Sequence, residues 1–174
     1  MLTHRGICNY LDPHPANRHV CAVRNEVENY LSVTTVSFDM SFKEHAVTLC
    51  NGKTLVFAGD DQMNDPRELA ELMKTHHVDC VNATPSRLAQ YMDYEPFRVA
   101  LADCKVIMSG GEGYPLSLRD RIREAAPKAR IINTYGPTEI TVSCNAARIN
   151  DVDPATHSRP TLHGIRSLSG IDRR

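Results

Sequence analysis

The strongest constraint on the fold is a regular alternation. Short β-branched runs take turns with segments whose apolar residues recur at helical spacing. Residues 31–38 are rich in Val and Thr and read as a strand, and residues 41–50 then read as a helix. Ser41 and Glu44 have the spacing of a capping box, and Asn51-Gly52 supplies a stop. Residues 54–58 form a second strand. Asp65, Pro66 and Glu68 open a helix with Leu69, Leu72 and Met73 on one stripe. Residues 78–81 are a third strand. Thr84-Pro85-Ser86 begins a helix with Leu88 and Met92 facing inward. Residues 105–108 are a strand, and residues 115–126 a helix carrying Leu118, Ile122 and Ala125. Residues 129–132 are a last strand. Parallel strands need crossovers, and helices are the usual ones. The pattern therefore predicts the α/β class, a mostly parallel sheet with helices on both faces.

The 174 residues suffice for one ordinary domain with its own core. The formal charge is −1, and no basic stripe with interleaved aromatics occurs, so no nucleic-acid partner is expected. No apolar run approaches the ~20 residues of a membrane helix, and no membrane association is expected. Six cysteines at long, irregular intervals include no CxxC pair. Cys80, Cys104 and Cys144 lie in apolar runs. Reduced, buried thiols are the reading, which suits a cytoplasmic protein. The eight histidines show no zinc-ligand spacing.

Chemistry concentrates in residues 133–143. The run ending at Ile132 gives way to a polar loop, Asn133-Thr134-Tyr135-Gly136-Pro137-Thr138-Glu139. Gly136 permits a tight path, and Pro137 fixes φ. Amide, phenol, hydroxyl and carboxylate thus crowd past the C-terminal end of a strand, where α/β sheets bind ligands. An aromatic face can carry a planar base, and a carboxylate can hold a hard cation. An ordinary strand-to-turn corner is the alternative.

The string Asn-x-Tyr-Gly-Pro-Thr-Glu resembles the fifth core motif of the adenylate-forming (AMP-binding) enzymes, most of all the adenylation domains of nonribosomal peptide synthetases. Ser37-Phe38-Asp39-Met40-Ser41 resembles that family's fourth motif. Ser109-Gly110-Gly111-Glu112-Gly113 resembles the Gly-Gly-Glu turn between the two. Three motifs in order are far more specific than one. The resemblance covers residues 2–149.

What it implies can be stated residue by residue. Asp39 would bind the α-ammonium of an amino acid; read without the resemblance, it is a helix-capping acid. Thr138 would contact phosphate and Glu139 would ligate Mg²⁺, both serving catalysis, although Glu139 also reads as a solvated turn acid. Tyr135 would pack on adenine, or else be core. Asn133 and Gly111 would lie near the base, with Gly136 beside them. Glu112 would do no more than hold its turn. The substrate side chain would be lined by Asp39, Met40, Lys43, Asn82, Met108, Gly110, Thr134, Val142 and Ser143. Lys43 departs from many relatives and suggests a polar, acidic side chain, unless it snorkels to water.

The resemblance implies a reaction in which an amino acid and ATP give aminoacyl-AMP and pyrophosphate. The acyl group then passes to the phosphopantetheine thiol of a carrier domain. ATP or AMP and Mg²⁺ would be the cofactors. The amino-acid substrate, a carrier domain and the remaining adenylation subdomains would be the partners. Residues 1–30 would be a lead-in after a phosphate loop the sequence does not contain. Residues 31–149 would be an α/β subdomain, and residues 150–174 a poorly ordered tail. A fragment of this kind is expected to be inactive alone. An acyl-CoA or aryl-acid ligase of the same superfamily is one alternative; a non-catalytic α/β remnant that at most holds nucleotide is another.

Overall fold

A computed structural model describes residues 2–150. The expected tail at 151–174 lies outside the described residues. Six strands form one sheet: β1 (Asn29–Ser32), β2 (Thr54–Phe57), β3 (Cys80–Ala83), β4 (Val106–Gly110), β5 (Arg130–Tyr135) and β6 (Asn145–Arg148). Their order is β2-β1-β3-β4-β5-β6. The first five run parallel, and β6 returns antiparallel to β5. The α/β expectation holds.

Both faces are covered, and strand alternation explains it. Leu31, Val81, Ile107 and Ile131 point into one apolar cluster. Their neighbours Tyr30, Cys80, Val106, Met108 and Ile132 point into the other. Adjacent residues on a strand face opposite ways, so both kinds of position are apolar. The first face is covered by α5 (Asp60–Asn64), α6 (Pro66–Thr75), α7 (Pro85–Tyr91), α8 (Glu95–Leu101) and α9 (Leu116–Ala125). Leu69, Leu88, Leu101 and Ile122 are fully enclosed there. Each contributes roughly 1.5–3 kcal/mol by leaving water. The second face is covered by α1 (His4–Leu11), α2 (Arg18–Glu26) and the helix that follows β1. Val20 and Val23 of α2 are fully buried, so α2 contributes to this core.

Local chemistry sets the helix starts. The Asp65 carboxylate accepts from Arg67 N at 2.8 Å, with Pro66 in the first turn. The Thr84 hydroxyl does the same for Arg87 N, with Pro85 next. Gly52, at φ 68°, ends the helix after β1 as expected.

Several boundaries differ from the sequence reading. β1 stops at Ser32 instead of running to Phe38. The Thr34 amide and hydroxyl are taken by the Glu44 carboxylate, and residues 35–38 turn outward, leaving Val36 and Phe38 exposed. The β-branched run was misleading because β propensity measures fit to a half-buried pleat, which residues 35–38 do not have. The next helix starts earlier, as α3 (Asp39–Phe42), a π-helical turn (Lys43–Val47) and α4 (Thr48–Cys50). Ser41 and Glu44 form no capping box. Ser41 donates back to the Phe38 carbonyl, and Glu44 is fully buried. β3, β4 and β5 extend two to three residues further than read. The short α5 and α8 and the strand β6 carry no strong period and were not expected. All six cysteines are free; Cys80 and Cys104 are buried, but Cys144 is exposed. Asn150, assigned to the tail, is buried. It accepts from Ile131 N at 2.9 Å and donates to the Ala129 carbonyl at 2.8 Å, pinning the sheet edge.

Candidate functional site

Parallel strands send all their C-terminal ends to one rim. Asp39 follows β1 by a short loop, Gly111 follows β4 directly, Tyr135 ends β5, and Glu139 lies just beyond. A cavity of about 40 Å³ opens at this rim. Asp39, Met40 and Lys43 wall it from the helix, and Gly110 and Thr134 from the strand ends. Val142 and Ser143 close it from the loop before β6. Seven positions expected to surround a substrate side chain are therefore together. Gly111 and Gly136, expected near nucleotide, also line it.

Asn82 and Met108 do not line it. Both sit inside the sheet and are fully buried. Asn82 Nδ2 donates to Glu44 Oε1 at 2.8 Å. Met108 Sδ lies 3.9 Å from the Tyr30 hydroxyl on the second face.

The glycines are steric necessities. A Cβ on Gly110 would collide with the Thr134 hydroxyl oxygen and stand 2.5 Å from its carbonyl oxygen. A Cβ on Gly136 would stand 2.5 Å from Ser143 Cα. Gly111 has φ 84°, which side chains rarely adopt. Opposite them, Thr141 and Val142 adopt φ 70° and 64°. β-Branched residues in this region cost on the order of 1–3 kcal/mol each, so the loop wall is strained.

Charge at the site is unusually exposed to low dielectric. Asp39 does not cap its helix. Its Oδ2 is buried and finds no hydrogen-bond partner among the described residues. Lys43 does not snorkel: it is 2% exposed, and its ammonium donates to Thr134 Oγ1 at 3.0 Å. Burial pulls the Lys43 pKa down to about 8, against the pull of the nearby Glu44 and Asp39 charges.

The nucleotide-facing expectations have simpler surroundings. The Tyr135 ring is 61% exposed at the strand end, so it is not core. Asn133 Oδ1 is buried without a partner among the described residues and can accept from a donor. Thr138 and Glu139 lie exposed on a 3₁₀ turn (Thr138–Ile140). No cluster of three metal-binding side chains occurs among the described residues. A single exposed carboxylate suits Mg²⁺, which keeps waters and shares ligands with phosphates. Glu112 accepts from Ser86 N and Ser86 Oγ, which holds the turn.

Three further residues support the site in ways the sequence does not show. Glu44 receives Ser32, Thr34 and Asn82. The Tyr10 hydroxyl lies 3.3 Å from Ser143 Oγ, across 133 residues. His19 packs on the Tyr10 ring at 5.0 Å, and neither ring nitrogen has a partner among the described residues. Burial and the Lys43 charge lower its pKa to about 3, so it is neutral. Only the Ser41–Glu44 spacing drew attention to any of them. The other contacts are too distant in sequence to leave a local signal.

Known proteins share this fold and much of this sequence. The chain is 31% identical over 160 residues to a delta-poly-L-ornithine synthetase of Acinetobacter baumannii, covering 92% of this chain and 11% of that protein. It is 36% identical over 124 residues to a D-alanine–D-alanyl carrier protein ligase of Bacillus licheniformis, covering 70% and 24%. It superposes on the crystal structure of the nonribosomal peptide synthetase FmoA3 with a TM-score of 0.74 at 26% identity, covering 88% and 16%. The chain thus spans from about a tenth to a quarter of the length of these relatives. The sequence model for AMP-binding enzymes matches residues 1–165. With the rim, its motifs and that match in agreement, the chain belongs to the AMP-binding enzyme family.

Proposed function

We propose that this chain is the central part of an amino-acid-activating adenylation domain of the nonribosomal peptide synthetase type. In it, an amino acid and ATP give aminoacyl-AMP and pyrophosphate, and the acyl group then passes to a carrier-domain phosphopantetheine thiol. One observation carries the reading. The buried, unpartnered Asp39 oxygen lines a small cavity on the rim that also carries Tyr135 and Glu139. A carboxylate oxygen buried without a partner is costly unless a donor arrives, and an α-ammonium is a cationic donor. A fatty or aryl acid has none, which disfavours a plain acyl ligase.

The remaining roles follow from placement. The exposed Tyr135 ring offers a stacking face for adenine, and the orphaned Asn133 oxygen offers an acceptor to an exocyclic amine. Gly111 and Gly136 let the backbone pass close to Met40 and Ser143 at the edge where the nucleotide would lie. Thr138 and Glu139, exposed just past the rim, would meet the triphosphate charge. Glu139 would hold Mg²⁺, which neutralises that charge when bound. The chain's own contribution is to orient the carboxylate for attack on the α-phosphorus and to exclude water. A cytoplasmic setting suits ATP and the free thiols. Among the described residues, no helix is long and apolar enough to cross a membrane.

The test is binding of aminoacyl-sulfamoyl-adenosine probes to the 174-residue chain, followed by amide chemical shifts. Shifts at Asp39, Gly111 and Tyr135 are expected, and they should weaken when the α-amine is acetylated. Equal binding of acetylated and free probes would overturn the Asp39 assignment. Shifts confined to other surfaces would overturn the site.

A further inference from the structure

The rim cavity holds two opposite charges that do not meet in a direct ion pair. Lys43 and Asp39 both line it, yet no ion pair joins them among the described residues. The adjacent Glu44 looks like the natural partner for Lys43, but its carboxylate is fully committed. Oε2 accepts from Ser32 Oγ at 2.8 Å and Thr34 N at 3.2 Å. Oε1 accepts from Thr34 Oγ1 and from Asn82 Nδ2 at 2.8 Å. A carboxylate offers about four acceptor positions, so none is left.

Lys43 is equally under-served. An ammonium has three donors. One goes to Thr134 Oγ1, whose own hydrogen goes to the Ser109 carbonyl at 3.2 Å. The other two have no acceptor among the described residues. A buried cation in that condition costs several kcal/mol, and an incoming anion removes the cost. The cavity also limits size. A water needs roughly 10–15 Å³ of such space, so 40 Å³ admits only about three or four heavy atoms.

We infer that the pocket selects an amino acid with a short acidic side chain, of aspartate size. Its carboxylate takes the two open donors of Lys43, and its α-ammonium takes Asp39. This inference rests on the adenylation reading, because it leaves the α-carboxylate free as the reacting group. Long cationic side chains are refused by Lys43, aromatic ones by volume, and Leu, which has as many side-chain heavy atoms as Asp, because it buries Lys43 unpaired. Ala and Gly fit the space but leave Lys43 unpaired, so they bind more weakly.

The test uses the 174-residue chain and four probes, the aspartyl, asparaginyl, alanyl and leucyl sulfamoyl-adenosines, with titration calorimetry. The unsubstituted chain should bind the aspartyl probe at least tenfold more tightly than the alanyl probe, and the leucyl probe least. Lys43→Gln keeps two donors without charge. It should lose the aspartyl preference while the asparaginyl affinity changes less than threefold. Lys43→Met serves if Lys43→Gln does not fold, and it should level the aspartyl, asparaginyl and alanyl probes. An equal loss across all four would place Lys43 on the common adenylate and overturn the inference while leaving the adenylation reading intact. Tightest binding of the alanyl or leucyl probe to the unsubstituted chain would do the same. Failure of every probe to bind would overturn both.

Discussion

Glu44 and Asn82 lie 38 residues apart and share a buried hydrogen bond of 2.8 Å. Through it, the π-helical turn after β1 is fastened to the middle of β3, and the same carboxylate holds Ser32 and Thr34 at the end of β1. Asp39 and Lys43 precede Glu44 on this helix. Their position over the rim is therefore set by a residue that does not touch the cavity.

Glu44→Ala should be the most damaging single change near the site. It strands the Ser32, Thr34 and Asn82 donors and removes the anion that helps keep Lys43 charged. A loss of about 3–5 kcal/mol in urea unfolding is expected. A loss below about 1 kcal/mol would mean that water replaces the carboxylate freely.

Asp39→Ala should separate stability from binding. Removing an unpartnered buried oxygen should leave the unfolding midpoint unchanged or raised. Probe affinity should fall on the order of a hundredfold or more, because the ammonium then enters unpaired. Parallel losses of stability and affinity would show that Asp39 is structural.

Gly110→Ala should disturb the cavity without touching its chemistry. The new methyl has nowhere to go but into Thr134, the partner of Lys43. The cost should be about 1–3 kcal/mol, with reduced affinity for every probe. Thermal unfolding of the variant, unchanged within a degree, would contradict this.

His19 should make the fold acid-sensitive. Its pKa drops from 6.5 in the unfolded chain to about 3 in the folded one. The unfolded chain therefore binds more protons between these values, and stability falls as pH drops through that window. Above pH 6.5 the full contribution is present. The loss should approach roughly 3–5 kcal/mol near pH 3. His19→Leu should flatten that part of the stability profile. A profile identical to the parent chain would assign the acid sensitivity elsewhere.

The fold was legible because its crossovers are strongly amphipathic. Leu69, Met73, Leu88 and Ile122 sit inside where their spacing placed them. The caps at Asp65 and Thr84 were legible because a short polar side chain before Pro has one good use. β6 was not legible, since Asn145–Arg148 has no apolar alternation and owes its pairing to β5. The rim was legible through motifs whose residues are close in sequence. Glu44, Tyr10 and His19 were not, because each acts through contacts made in three dimensions. Asn82 and Met108 lie outside the lining of the small cavity because strand residues at the right depth can still face a core.

The cavity's walls come from four separate pieces of chain: the start of one helix, the ends of two strands, and a strained loop. Apart from Gly110, Gly111, Thr134 and Gly136, the walls belong to neither the sheet nor its tight turns. Substitutions at Met40, Lys43, Val142 and Ser143 can therefore accumulate one at a time, with the framework unmoved. A lineage built on this scaffold can change its substrate without first passing through an unfolded ancestor.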